Sequence, residues 1–85
     1  MKHFVYIIHS STLSIFYKGY SLFPFARLVA HNSNKSRYTR NKGPWELVFL
    51  QSFATKREAL IRERSLKKYS HSQLEELIVS AKNEI

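Results

Sequence analysis

The sequence predicts an α+β domain with the element order β-β-α-β-α-α, on three observations. Two β-branched and aromatic runs, residues 3–9 and 15–20, flank a polar turn. A third run of the same kind, Trp45–Phe53, follows the Gly43-Pro44 break. Elsewhere the apolar positions recur every three or four residues, the period of a helix that buries one side. The 85 residues make one domain, 1–85. Its core is expected to be thin, because so small a globule buries only roughly 60% of its unfolded surface.

In the first run Phe4, Tyr6 and Ile8 share one face of a strand, since side chains alternate along it. Ser10–Ser14 forms the turn, and the second run carries Tyr17 and Gly19 on one face with Phe16, Lys18 and Tyr20 on the other. A loop centred on Ser11 and Thr12 places Tyr6 opposite Tyr17. Pro24 suits the first turn of a helix, where its missing N–H costs nothing. Phe25, Leu28 and Val29 are the stripe expected to pack on the sheet, with Arg27 and His31 bordering it, one above the other. Residues 32–43 lose all periodicity and read as a basic loop, either mobile or functional. Trp45 is expected in the core, with a partner for its indole N–H. Thr55 and Glu58 fit a capping box that opens a helix running to about Tyr69. Ser70 and Gln73 fit a second cap, and Leu74, Leu77, Ile78 and Ala81 make the last amphipathic helix.

Fourteen Lys and Arg against six acidic residues give a net charge of +8. A field this strong on so small a globule favours polyanionic partners, nucleic acid first. No membrane role is expected: the longest apolar run, Phe4–Ile8, is far short of the roughly 20 residues of a spanning helix. That run is also too short for a signal-peptide core, and with the absence of cysteine it points to a cytoplasmic protein without thiolate chemistry.

The second helical stretch contains an anomaly. Glu63 lies three or four positions from Ala59, Leu60 and Leu66, which directs a carboxylate toward the packed face or its edge. Such a group is costly unless paired or bound to a cation. It reads as a metal-ligand candidate or, equally, as an ion pair with Arg27. Tyr6 and Tyr17 read alone as cross-strand packing aromatics. In the loop, Lys35, Arg37, Arg40 and Lys42 interleave with Tyr38 as candidate nucleic-acid contacts.

Taken in order, these residues resemble the GIY-YIG nuclease family, in particular its small stand-alone members related to the catalytic domain of the excision-repair nuclease. Phe4-Val5-Tyr6 stands for the first triplet of the family name and Tyr17-Lys18-Gly19 for the second. The resemblance continues through Arg27, His31, Tyr38-Thr39-Arg40, Gly43–Leu47 and Glu58–Glu63 to Leu66-Lys67-Lys68. It implies a three-stranded antiparallel sheet flanked by helices and metal-dependent cleavage of phosphodiester bonds in DNA, with RNA left open and Mg²⁺ or Mn²⁺ as cofactor. By position it implies Tyr6 and Tyr17 as the motif tyrosines, Arg27 on the scissile phosphate, His31 supporting proton transfer and Glu63 as the protein ligand to the metal. Phe4, Lys18 and Phe23-Pro24 depart from the family pattern without removing any of these groups.

The chemistry agrees with the assignment. An always-charged guanidinium fork suits phosphoryl oxygens, and Mg²⁺ is served by one carboxylate plus waters and substrate. A phenol with a reference pKa of about 10 must be activated to act as a base. The expected function is an endonuclease or nickase; the alternative is a catalytically inactive basic nucleic-acid-binding module on the same scaffold. With no recognition domain in the sequence, either low sequence specificity or targeting by a protein partner is expected.

Overall fold

A computed structural model describes all 85 residues and gives the order β1 (His3–Ser10), β2 (Ile15–Ser21), α1 (Pro24–Asn32), β3 (Trp45–Phe53), α2 (Lys56–Leu66) and α3 (His71–Ile78). The strands form one antiparallel sheet in the order β2-β1-β3, so the first and most buried strand is central and hydrogen-bonded on both sides. No helix is long and apolar enough to cross a membrane.

The faces of β1 separate two cores. Val5 and Ile7 join Phe49 with Ala59, Leu66, Leu74 and Leu77 from α2 and α3. Tyr6 and Ile8 join Trp45 and Leu50, with Leu28 of α1 packed against them. A bulge in β3 makes this division work. Ile7 pairs with Phe49 and Ile8 with Leu47, leaving Val48 as the extra residue. Trp45 and Leu47 therefore face α1, Val48 and Phe49 both turn to the other side, and Leu50 returns to the α1 side.

The hairpin register differs from the expected one. The loop is Ser11–Ser14, ending on Ser14 at φ 55°, so Tyr6 pairs with Gly19 and Ile8 with Tyr17. A shift of two residues preserves the face, so both tyrosines still share one side, on a diagonal instead of directly opposed. Gly19 is needed for space and not for backbone freedom: its φ is negative, and a methyl group there would overlap the Tyr6 phenol ring.

The buried side of α1 also differs. Phe25 and Val29 are 62% and 65% exposed, whereas Pro24 and His31 are buried and Arg27 and Leu28 are half-buried. The packed stripe is thus Pro24, Arg27, Leu28 and His31, at the same helical spacing but turned toward the polar side. Both capping boxes form, Thr55 with Glu58 and Ser70 with Gln73. Two helices stop early: α2 ends at Leu66 instead of near Tyr69, and α3 at Ile78, leaving Ala81 exposed. The following chain closes the outer edge of β3. Glu84 N–H donates to the Leu50 carbonyl at 2.8 Å, and the Asn83 side chain accepts from Leu50 N–H at 3.1 Å and donates to the Val48 carbonyl at 2.8 Å.

Candidate active site

The α1-facing side of the sheet collects most of the singled-out polar groups. Tyr6 projects from the middle of β1 across Gly19, and its hydroxyl lies 2.9 Å from Nε2 of His31 on α1. On the far side of the imidazole, Nδ1 lies 2.7 Å from Oγ1 of Thr39. Tyr6, His31 and Thr39 are all essentially buried, so this is a closed line of three hydrogen-bonding groups with no water needed to satisfy it. Tyr17, half-buried on the neighbouring strand, lays its ring against the same imidazole, with centroids 5.1 Å apart.

Electrostatics follow from this burial. Desolvation, reinforced by the Arg27 charge, lowers the His31 pKa from 6.5 to about 4. The imidazole is therefore neutral at pH 7 and can accept a proton. Desolvation likewise raises both phenols above their usual range, with Arg27 opposing the rise and the Glu63 charge adding to it. Arg27 and Glu63 thus act on the same pair of hydroxyls from α1 and α2. The two do not form an ion pair; the partner of Glu63 is Lys67, one turn along α2 at 3.9 Å. The Glu63 side chain is 20% exposed, at the edge of the buried face.

Thr39 is the residue of this candidate site that sequence reasoning left without a role. It comes from the aperiodic stretch between α1 and β3, eight residues beyond its imidazole partner, where no periodicity could mark it. That stretch is neither structureless nor detached. Ser36 and Thr39 are buried, and Asn34 and Asn41 take the left-handed conformation asparagine tolerates, with Asn41 N–H donating to Asn34 Oδ1 at 3.0 Å. Its end is clamped by Asn32, whose side chain accepts from Trp45 N–H at 2.6 Å and donates to the Trp45 carbonyl at 3.0 Å. The Trp45 indole N–H donates to the Thr39 carbonyl at 3.3 Å, supplying the partner the tryptophan requires. Lys35, Arg37, Tyr38, Arg40 and Lys42 all lie on the exposed side of this anchored loop.

The donor set suits a hard divalent cation. No group of three or more His, Asp or Glu side chains is assembled. A lone, partly exposed carboxylate beside phenol oxygens fits a cation that keeps its waters and takes substrate oxygens.

Fold and site together define a small α+β protein with a buried tyrosine-histidine-threonine line and an arginine on one sheet face. Residues 2–76 match the family model of the GIY-YIG catalytic domain. A UPF0213 protein of Staphylococcus epidermidis is 42% identical over 73 residues, covering 85% of this chain and 88% of the relative. The UPF0213 protein YazA of Bacillus subtilis is 37% identical over 83 residues, covering 96% and 83%. Among solved structures, the solution structure of a UPF0213 protein from Bacillus halodurans superposes with a TM-score of 0.61 at 33% identity, covering 99% of this chain and 89% of that one. The chain belongs to the GIY-YIG family, within the nuclease superfamily.

Proposed function

We propose that this protein is a metal-dependent endonuclease that hydrolyses phosphodiester bonds in DNA, one strand per active centre. The observation that carries the reading is the Tyr6–His31–Thr39 line beside Arg27. It is a phenol with a neutral proton acceptor 2.9 Å behind it, next to a fixed positive charge. In the tautomer with its proton on Nδ1, His31 donates to Thr39 Oγ1 and accepts from the Tyr6 hydroxyl through Nε2. As water attacks phosphorus, its proton passes to the Tyr6 oxygen while the tyrosine proton moves to His31. The new P–O bond forms as the P–O bond to the leaving strand breaks. The leaving oxygen takes a proton from solvent water, and His31 later returns its extra proton to solvent through Tyr6. Arg27 holds the phosphoryl oxygens and offsets their growing charge. Tyr17, tilted against the imidazole with centroids 5.1 Å apart, helps to hold the ring in place. Mg²⁺ or Mn²⁺ held through Glu63 would supply Lewis-acid stabilisation of the phosphoryl oxygens. The exposed cations of the 35–42 loop would bind flanking phosphates.

The test is cleavage of end-labelled linear, nicked and branched DNA with and without Mg²⁺ or Mn²⁺, comparing wild type with Arg27→Ala and Glu63→Ala. Metal-dependent products that vanish in both variants are expected. Salt-sensitive binding without products on any of these substrates would favour an inactive binding module instead.

A further inference from the structure

Helix α2 carries more cations than the site described above uses. Arg62 is occupied inward: its Nε donates to Gln51 Oε1 and its NH1 to the Tyr69 hydroxyl, both at 3.2 Å. Lys67 faces Glu63. Lys56, Arg57, Arg64 and Lys68 are exposed, and none has a carboxylate within 4.0 Å. Glu58, the other acid on this helix, is held in its capping box by Thr55. Lys56, Arg57 and Arg64 line a groove of about 520 Å³ with Leu60 and Ile61 at its floor, Ile61 being 55% exposed.

The placement around the helix is informative. At about 3.6 residues per turn, one side of Glu63 holds Ala59 and Leu66, both fully buried. The other side turns outward through Lys56 and the C-cap Lys67, then Leu60, Arg64 and Arg57, with Lys68 in the turn that follows the helix. The cations without a carboxylate partner thus continue from the candidate metal ligand without an intervening acid, with Lys56 also lying over the Tyr20 ring at 5.7 Å. From Arg57 to Arg64 the helix rises about 10 Å, over which one strand of a duplex presents about three phosphates, and Lys68 follows in the turn just beyond the helix. Methylenes of the long basic side chains, with Leu60 and Ile61 between them, suit the sugar edge of such a strand.

We infer that this outward face of α2, Lys56, Arg57 and Arg64, together with Lys68 in the turn after it, is a second phosphate-binding track that carries the nucleic-acid backbone away from the cleavage site. The 35–42 loop and α2 then grip the polyanion on two sides of Arg27 and Glu63, and binding does not depend on the loop alone. The inference rests on the nuclease reading for its choice of nucleic acid over other polyanions. Continuity with Glu63 is the reason for that choice.

The experiment measures the affinity of a short DNA duplex against salt concentration in EDTA, so that no metal-dependent cleavage occurs. It compares wild type with the triple variant Arg57→Gln/Arg64→Gln/Lys68→Gln and with Arg37→Gln/Arg40→Gln in the loop. Each duplex phosphate that a variant no longer neutralises should lower the slope of log affinity on log salt by roughly 0.9, about 2.7 for the triple variant. The loop variant should show a lower slope independently, and the two decreases should add. Neutral methylphosphonates placed in turn along the strand should weaken wild type at positions where the triple variant is indifferent. Arg64→Gln alone, expected to lower the slope by about 0.9, keeps the test available if the triple variant melts earlier. An unchanged slope in both α2 variants, with wild type steep, overturns the second track and leaves the nuclease reading standing. Salt-independent binding by wild type overturns both. Reduced binding to phosphatidylserine vesicles with unchanged DNA affinity would assign the face to a membrane and overturn the inference.

Discussion

The two faces of the sheet are built from adjacent residues of the same strand and hold cores of opposite character. Val5 and Ile7 enter a core of aliphatic side chains and Phe49, closed by α2 and α3. Tyr6 and Ile8 enter one that also holds His31 and Thr39, both essentially buried. The first face is stabilised by non-directional burial, so shape and volume govern it. The second accepts polar groups because each meets a partner, and burial holds the imidazole there in its neutral form. Apolar burial dominates one side of β1, and the hydrogen-bonded tyrosine-histidine-threonine line lies on the other.

The largest expected effect belongs to the first face. Phe49→Ala should cost about 3–5 kcal/mol, lowering the melting midpoint by roughly 4–8 °C per kcal/mol in a domain of this size. Below that midpoint the folded fraction should keep its activity per molecule. A folded but inactive Phe49→Ala protein would break the division.

Thr39→Val should act mainly on the other quantity. It keeps the shape, strands Nδ1 of His31 and should cost about 1–3 kcal/mol. It should also lower kcat by about 10- to 100-fold, within the range that positioned acid-base groups contribute, with KM little changed. Thr39→Ser, which restores the hydroxyl, should recover kcat. Equal losses in both variants would show that the methyl group matters and not the hydrogen bond.

His31 makes a pH dependence. Its folded pKa, about 4, lies below the reference value of 6.5, so the unfolded chain binds more protons between those values. Its contribution to stability is complete above pH 6.5 and is lost as pH falls toward 4, by at most about 1.4 kcal/mol per pH unit for one proton. Denaturant titrations of wild type and His31→Phe should differ in pH slope across that window. Parallel slopes would mean the imidazole is not held neutral.

The smallest effect tests the orientation of α1. Phe25 and Val29 are exposed, so Phe25→Ser and Val29→Lys should each stay within about 0.5 kcal/mol of wild type. A loss of several kcal/mol would restore the stripe that the apolar pattern suggested.

That stripe shows where sequence reasoning reaches its limit. Phe25, Leu28 and Val29 have helical spacing, but spacing fixes only which residues share a face and not which face meets the sheet. The sheet offers a slot lined by Tyr6, Ile8 and Trp45, and His31 enters it because Tyr6 and Thr39 bond both of its nitrogens. The hairpin register was hidden for a similar reason: Ser14 in the left-handed conformation moved the turn centre, and no strong turn pair announced it. The β3 bulge likewise cannot be read from alternation, because one extra residue inverts the pattern only where a partner strand defines it.

What the sequence by itself determined is what local interactions decide. The strand segments, both capping boxes, the net charge and the ordered series Tyr6, Tyr17, Arg27, His31 and Glu63 depend on neighbours within a few residues or on composition. Only the tertiary structure decided how these meet: the diagonal tyrosine pair over Gly19, the burial that keeps His31 neutral, and Thr39 arriving from an aperiodic loop to hold its far nitrogen. Those depend on desolvation and on contacts between distant residues, which exist only once the chain has closed around its central strand.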